Sequence, residues 1–401
     1  DAARNVGARA AERLGSAGER ALSRSDISAA VSLLDRALDL LPRESRPPKL
    51  LCDLGLALSE RGEFARAEAI LSDAAAAAEA QDEQALAAIA TMRSNWLGLI
   101  AGGLMEETKA HIEETIPTLD ALGDEDGLAE AYSLLGTLLM FSGRCAVAAQ
   151  AFERSATLAQ RVGNAKVASR SLSWLLVAAF WGPMVVPDAL SLCERVLGES
   201  TDRHTEGFAR TVQGALTVLA GDRALGRSFI TTGHQLLEEL GQDVVAASSR
   251  MMVARAEFVA GDLGQAEDEL RFGYEKLKQM GERGFLSTVA ALLAVVLCAQ
   301  GRHDEAGAYA QEARELGAAD DLTTQLYWRC GQAEVLASRG EIEQARQLIQ
   351  EGLDLIDGTD YGDDRAVALL SLAAVEKAAD NRDGARAALN QAVGLFEAKG
   401  A

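Results

Sequence analysis

The residue types that could carry out chemistry are spread thinly along the chain. Histidines bind metals or act as general acids and bases only when partner groups lie within reach. The four histidines are far apart in the sequence: His111, His204, His234 and His303. The paired carboxylates Glu113–Glu114 and Glu238–Glu239 lie in helical stretches, where we expect them to be solvated. These patterns predict neither a metal site nor an acid–base pair.

Sequence motifs for other chemistries are also missing. The chain has no GxxxxGK[ST] loop for nucleotide phosphates and no GxSxG turn that would present a nucleophilic serine. The glycine-containing stretch Gly98–Gly103 ends a predicted helix and does not follow a strand. We therefore expect a protein that is not an enzyme and that uses no cofactor and no metal.

The cysteines follow the pattern of buried apolar residues. All five lie in predicted helices and none forms a CxxC pair: Cys52, Cys145, Cys193, Cys298 and Cys330. Buried thiols in a reducing cytosol are favoured over disulfides or metal ligands. Because no stretch of 18 apolar residues occurs, no membrane span is predicted, and we expect a cytoplasmic protein.

The net charge limits the classes of partner that the chain can bind. The 401 residues carry a net charge of −21 and include no basic run. Phosphate backbones require clustered Lys and Arg, so direct binding of nucleic acid is disfavoured. An acidic surface fits a solvated helical array, or alternatively a dedicated site for a basic partner.

The composition and a repeated glycine column predict the elements that carry these residues. Ala, Leu, Glu and Arg dominate and aromatic residues make up only 5 % of the chain, which favours an all-α fold. A glycine or polar residue returns every 37 to 41 residues, in ten copies: Ser25, Gly62, Gly103, Gly143, Gly182, Gly221, Gly261, Gly301, Gly340 and Asp380. An apolar-periodic helix runs into each copy, and glycine ends a helix in the left-handed conformation without steric cost.

Small residues recur at fixed distances from this column. Five residues after it stand Ala30, Ala67, Thr108, Ala148, Gly226, Ala266, Ala306, Ala345 and Ala385. Small residues allow two antiparallel helices to approach closely. The pattern predicts ten hairpins, each with a first helix, a tight turn and a second helix. We expect them to stack over residues 1–401 as a single right-handed superhelix with a concave and a convex face, and with a possible joint near residues 181–187.

The hairpin pattern resembles the tetratricopeptide repeat over essentially the whole chain. The period here is near 40 against 34 in that family, and the signature Trp and Tyr of the first helix are mostly Leu or Ala. The stretches Ala10–Pro42, Leu50–Ala74 and Leu395–Gly400 are similar to the C-terminal sensor regions of bacterial signalling ATPases of the STAND class. That resemblance implies the effector-sensing part of a larger signalling ATPase or transcription regulator. The alternative is a free-standing peptide receptor or protein-interaction adaptor, similar to the repeat-containing quorum-sensing receptors of other bacteria.

The same resemblance implies which residues bind the partner. In tetratricopeptide arrays the first helix of each hairpin lines the concave face, and the corresponding positions are Arg93, Ser133, Thr137, Phe208, Thr211, Met251, Arg255, Tyr327 and Glu334. We expect them to contact a protein, a peptide or a small-molecule effector, with Arg93, Arg255 and Tyr327 as the main anchors.

One turn departs from the repeat. Residues 178–197 carry extra residues after the glycine, and Trp181, Met184 and Val185 occupy a turn that is polar in the other hairpins. This turn is expected either to contact a partner, to act as a joint, or to fold back onto its own hairpin.

Overall fold

The computed structural model describes residues 2–23, 26–100, 105–200 and 202–401, so the turn positions Ser25 and Gly103 lie outside the described residues. Within those ranges the chain forms twenty α-helices, one short 3₁₀-helix (Arg43–Ser45) and no strand. The helices are α1 (Ala2–Ser23), α2 (Ile27–Asp39), α3 (Pro48–Glu60), α4 (Phe64–Ala80), α5 (Gln84–Ile100), α6 (Met105–Leu122), α7 (Glu125–Phe141), α8 (Cys145–Val162), α9 (Ala165–Trp181), α10 (Val186–Glu199), α11 (Arg203–Leu219), α12 (Arg223–Glu239), α13 (Asp243–Val259), α14 (Leu263–Met280), α15 (Gly284–Ala299), α16 (His303–Leu316), α17 (Leu322–Ser338), α18 (Ile342–Leu355), α19 (Gly362–Ala378) and α20 (Arg382–Lys399).

The glycine column marks the turn inside each hairpin, as predicted. Left-handed backbone occurs at Gly62, Gly143, Gly221, Gly261, Gly301, Gly340 and, with φ +54°, at Asp380. Gly182 is the exception, because it lies in the irregular turn and does not have a positive φ. A second left-handed column, which the sequence analysis missed, ends the second helix of a hairpin at Asp82, Gly123, Gly163, Gly241, Gly281, Gly358 and Gly400.

The small residues bring the two helices of a hairpin into close contact. Ala266, Ala306 and Ala345 have no exposed surface. Between α11 and α12, a Cβ atom added to Gly214 would lie 2.5 Å from the carbonyl oxygen of Gly226. The predicted role of these positions in helix packing is confirmed.

The chain divides into two compact units, which are described separately. Unit 1 comprises residues 1–138 and 154–168, and unit 2 comprises residues 139–153 and 169–401. The irregular turn at residues 181–187 lies inside unit 2. No helix in the described ranges is both long and apolar enough to span a lipid bilayer.

Ion pairs join successive hairpins in both units. In unit 2, Arg227 donates from Nε and Nη2 to the fully buried carboxylate of Glu257, at 2.8 Å in each case. Arg346 and Glu376 repeat this arrangement three hairpins later, at 2.8 and 2.7 Å. In unit 1, Arg93 and Glu130 form a largely buried pair of the same kind, whereas Arg43 and Asp73 form an exposed pair at 2.9 Å.

Candidate functional site

Within unit 2, the segment 139–153 around the turn between α7 and α8 meets the start of the last hairpin, α19–α20, through capped helix ends. The Tyr361 hydroxyl, just before α19, donates to the carbonyl oxygen of Met140 in the last turn of α7, at 2.8 Å. The Asp360 carboxylate accepts a hydrogen bond from the Ala146 amide in the first turn of α8, also at 2.8 Å. The Asp360 amide donates to the Gly143 carbonyl oxygen at 2.7 Å. Since these partners are more than 200 residues apart in sequence, unit 2 closes on itself.

The last helix completes this contact. Lys399, which is 5 % exposed, donates from Nζ to the carbonyl oxygens of Ala179 at 3.1 Å, of Phe180 at 2.8 Å, and of Gly182. A cation at a helix C-terminus is favoured by the helix dipole and by the carbonyls that have no intrahelical partner. Burial lowers the pKa of Lys399, and the neighbouring Asp363 opposes that effect. We call the contacts of Asp360, Tyr361 and Lys399 with α7, α8 and α9 the seam.

A buried polar cluster lies inside unit 2, beyond the seam. The Arg255 guanidinium of α13 donates from Nη1 to Asp364 Oδ1 of α19 at 2.9 Å and to the Tyr327 hydroxyl of α17. Tyr327 in turn donates to the same Asp364 oxygen. The Trp181 ring lies 5.8 Å from the guanidinium carbon of Arg255. The exposed fractions of Arg255, Tyr327 and Asp364 are 4 %, 0 % and 1 %.

This cluster retains hydrogen-bonding capacity. Arg255 Nε, Arg255 Nη2 and Asp364 Oδ2 are buried and have no hydrogen-bond partner among the described residues. Burial alone would lower the pKa of Arg255, but Tyr327 and Asp364 outweigh it and raise the pKa. Burial also raises the pKa of the Tyr327 hydroxyl well above its ordinary value. Arg255 therefore stays charged and Tyr327 stays neutral, so the cluster can recognise polar groups.

The remaining residues of unit 2 that were predicted to bind a partner are also buried. Phe208 and Met251 are buried, and Thr211 is buried with its hydroxyl bonded to the Gly207 carbonyl oxygen at 3.1 Å. Glu334 is 8 % exposed, and burial raises its pKa to about 7, while a hydrogen bond from Ser371 acts in the opposite direction.

The predicted residues of unit 1, Arg93, Ser133 and Thr137, form hydrogen bonds within that unit. Arg93 donates from Nε and Nη2 to the carboxylate of Glu130, at 2.8 and 2.6 Å, and from Nη1 to the Cys52 carbonyl oxygen at 3.2 Å. The Thr137 hydroxyl donates to the carbonyl oxygen of Ser133 at 3.0 Å, and both side chains are buried. Arg93 therefore joins α3, α5 and α7, and its role in binding stays a prediction.

The irregular turn contacts other parts of unit 2. Trp181 is 8 % exposed and packs edge-on against Phe180, with a ring separation of 5.1 Å. Met184 and Val185 are half-buried. A Cβ atom built on Gly400, after the last helix, would lie 3.5 Å from Pro187. The turn therefore packs against the C-terminal end of α20. The repeat pattern did not predict this contact.

The sequence patterns did not predict the contacts of Asp360, Tyr361, Asp364 and Lys399. The one available signal was the segment before α19, in which "DGTDYGDD" replaces the simple glycine turn of other hairpins. The cysteines were predicted correctly as buried: all five are free thiols, and burial raises the pKa of Cys52 to about 11 and that of Cys145 and Cys193 to about 12. Over the described residues no group of three or more His, Cys, Asp and Glu is placed to hold a metal ion.

Comparison with known proteins supports the fold. No protein-family model matches the chain, and no curated protein matches it. The crystal structure of a Rap protein complexed with competence and sporulation factor aligns with a TM-score of 0.63 and 11 % identity, over 89 % of this chain and 99 % of that one.

Two further solved structures are less similar. The apo form of RapI has a TM-score of 0.47 at 12 % identity, covering 96 % of this chain and 97 % of that one. Yeast Tom70 has a TM-score of 0.39 at 12 % identity, covering 97 % and 95 %. The fold is an all-α array of helix hairpins of the tetratricopeptide type, and the predicted fold class is confirmed.

Proposed function

We propose that this chain is a non-catalytic scaffold that binds a peptide or protein effector through the interior of unit 2. The observation that carries the proposal is the cluster of Arg255, Tyr327 and Asp364. Most positions that pack the two helices of a hairpin are small or apolar, whereas Arg255, Tyr327 and Asp364 are polar and buried. Among the described residues, two nitrogens of Arg255 and one oxygen of Asp364 have no hydrogen-bond partner. Buried polar groups that break the local packing pattern mark functional sites in many proteins.

A peptide suits these groups better than other classes of ligand. A peptide backbone offers one carbonyl acceptor and one amide donor per residue, which match the free nitrogens of Arg255 and the free oxygen of Asp364. Phe208, Met251 and Trp181 add apolar contacts on the same unit. The Rap protein of similar fold is described as a complex with competence and sporulation factor, which supports a ligand-binding use of such an array.

The cellular context follows from the sequence resemblance alone. We propose that the chain is the effector-sensing region of a larger signalling ATPase or transcription regulator, in which binding controls another module. The alternative is a free-standing peptide receptor or adaptor. The similarity of the fold to that of the Rap complex supports this alternative. Determining the complete reading frame separates the two, because only the first requires an attached catalytic or DNA-binding module.

The binding proposal is tested by selecting ten-residue peptides from a random display library on the full chain. Affinities of the selected peptides are then measured for wild type, Arg255→Met and Tyr327→Phe, with the exposed Arg339→Met as the matched control. We expect Arg255→Met to weaken binding by about tenfold or more, because a hydrogen bond to a charged group contributes about 1.5–3 kcal/mol. Peptides whose affinity is equal for wild type, Arg255→Met and Tyr327→Phe would contradict the assignment of the site.

A further inference from the structure

We propose that the seam is a reversible latch, which opens as one unit and is controlled by the polar cluster inside unit 2. This inference rests on the proposed binding function for its biological use, but the latch itself exists with or without a ligand. An effector that engages Arg255 and Asp364 would draw α19 out of its closed position and release the seam.

The kind of contact in the seam permits opening without unfolding. Its hydrogen bonds cap the end of α7, the start of α8 and the end of α9, and each capped group can bond to water instead when the seam opens. Neighbouring hairpins, by contrast, interlock fully buried residues such as Val289, Leu293 and Leu297 of α15. Opening the seam would expose the buried Tyr361 ring and the Lys399 side chain but would leave the cores between neighbouring hairpins intact, so it should cost less than separating two hairpins.

The latch and the cluster share one turn of helix. Tyr361 is the N-cap of α19, Asp360 precedes it, and Asp364 lies in the first turn of the same helix. Arg255 of α13 holds Asp364 from the interior, while Met140 and Ala146 hold Tyr361 and Asp360 from the seam. Since both sets of contacts position the same helix end, a change at Asp364 is transmitted to the seam. Any coupling of this kind is reciprocal in free energy.

Lys399 provides an independent arm of the latch. It lies on α20, contacts α9 instead of α7 or α8, and is separated in sequence from Asp360 and Tyr361 by a whole helix. If the seam opens as one unit, loss of the Lys399 contact must weaken the Asp360 contact. If the contacts are independent, loss of the Lys399 contact leaves the Asp360 contact unchanged.

Amide hydrogen exchange on the ligand-free full chain tests this directly. Ala146 is the second residue of α8, so its amide has no intrahelical partner, and within the part of the chain that the structure describes its hydrogen bond goes to the Asp360 carboxylate. We expect Lys399→Met and Asp364→Asn each to accelerate exchange at Ala146 and at the Asp360 amide, on the order of tenfold. Exchange in α15 should not change in Lys399→Met. Asp364→Asn also breaks the buried ion pair with Arg255 and lowers global stability, so it should accelerate α15 as well, and Lys399→Met is the variant that separates opening of the seam from unfolding. The exposed-site controls Lys377→Met and Asp320→Asn should have no effect at Ala146.

The outcome that overturns the latch is acceleration confined to the substituted contact, with Ala146 unchanged. If Lys399→Met lowers protection throughout unit 2, Tyr361→Phe replaces it, since that change removes one hydroxyl and keeps the ring; it should then accelerate exchange near Lys399 and Gly182. Adding a selected peptide to wild type should also accelerate Ala146. A peptide that binds through Arg255 without changing Ala146 overturns control by the cluster, whereas failure to select any peptide leaves the ligand-free result intact.

Discussion

The buried carboxyl group of Glu334 makes the stability of the fold depend on pH. Replacing this carboxyl group with an uncharged amide of the same shape removes that dependence. Burial raises its pKa from 4.5 to about 7 in the folded chain, whereas the unfolded chain exposes it at its ordinary pKa. Between these values the folded state holds a proton that the unfolded state has lost. The unfolding free energy therefore falls as the pH rises through this window, and above pH 7 the penalty is constant.

The size of the effect follows from the shift. A change of about 2.5 pKa units at 1.36 kcal/mol per unit corresponds to about 3 kcal/mol of lost stability above pH 7. Glu334→Gln keeps the shape of the protonated side chain and removes the ionisation. We expect this variant to be more stable than wild type by about 3 kcal/mol at pH 8, and to match it near pH 4.5.

Urea unfolding of the full chain at pH 4.5, 6 and 8, followed by circular dichroism, measures this difference. The control is Glu341→Gln, an exposed glutamate on the following turn, which should shift the midpoint equally little at every pH. A Glu334→Gln variant whose stability relative to wild type does not depend on pH would refute the reasoning. So would a variant that is less stable than wild type at pH 8.

Three further predictions concern packing, the polar cluster and the thiols. Gly214→Ala should destabilise the chain by about 1–3 kcal/mol, because the new methyl group overlaps the facing helix; Gly198→Ala, in open space on α10, should be neutral or stabilising by calorimetry. Arg255→Met and Asp364→Asn should each cost about 3–5 kcal/mol, and the double variant should cost much less than their sum, which a double-mutant cycle in urea measures. The five buried cysteines should react with a thiol reagent only as fast as the chain unfolds, so a rapid reaction in native buffer would contradict their burial.

Part of the site was accessible from the sequence and part was not. The resemblance to the tetratricopeptide repeat implied that Arg255 and Tyr327 lie on the concave face of the first helices and contact a ligand. The structure places both side chains in the buried interior of unit 2, and their contact with a ligand stays a prediction. Their mutual contact and the role of Asp364 were not predicted. Asp364 lies in the first turn of α19, and its partners Tyr327 and Arg255 are 37 and 109 residues away in the chain.

The sequence by itself determined the hairpins. Helix propensity, the spacing of small residues and the glycine at each turn act over a few residues, and they set where each helix begins, ends and contacts its partner. Only the tertiary structure decided that unit 2 closes on itself and that Arg255 meets Asp364 within it. Closure depends on the small rotation between successive hairpins, summed along the unit, and no local pattern of residues specifies that sum.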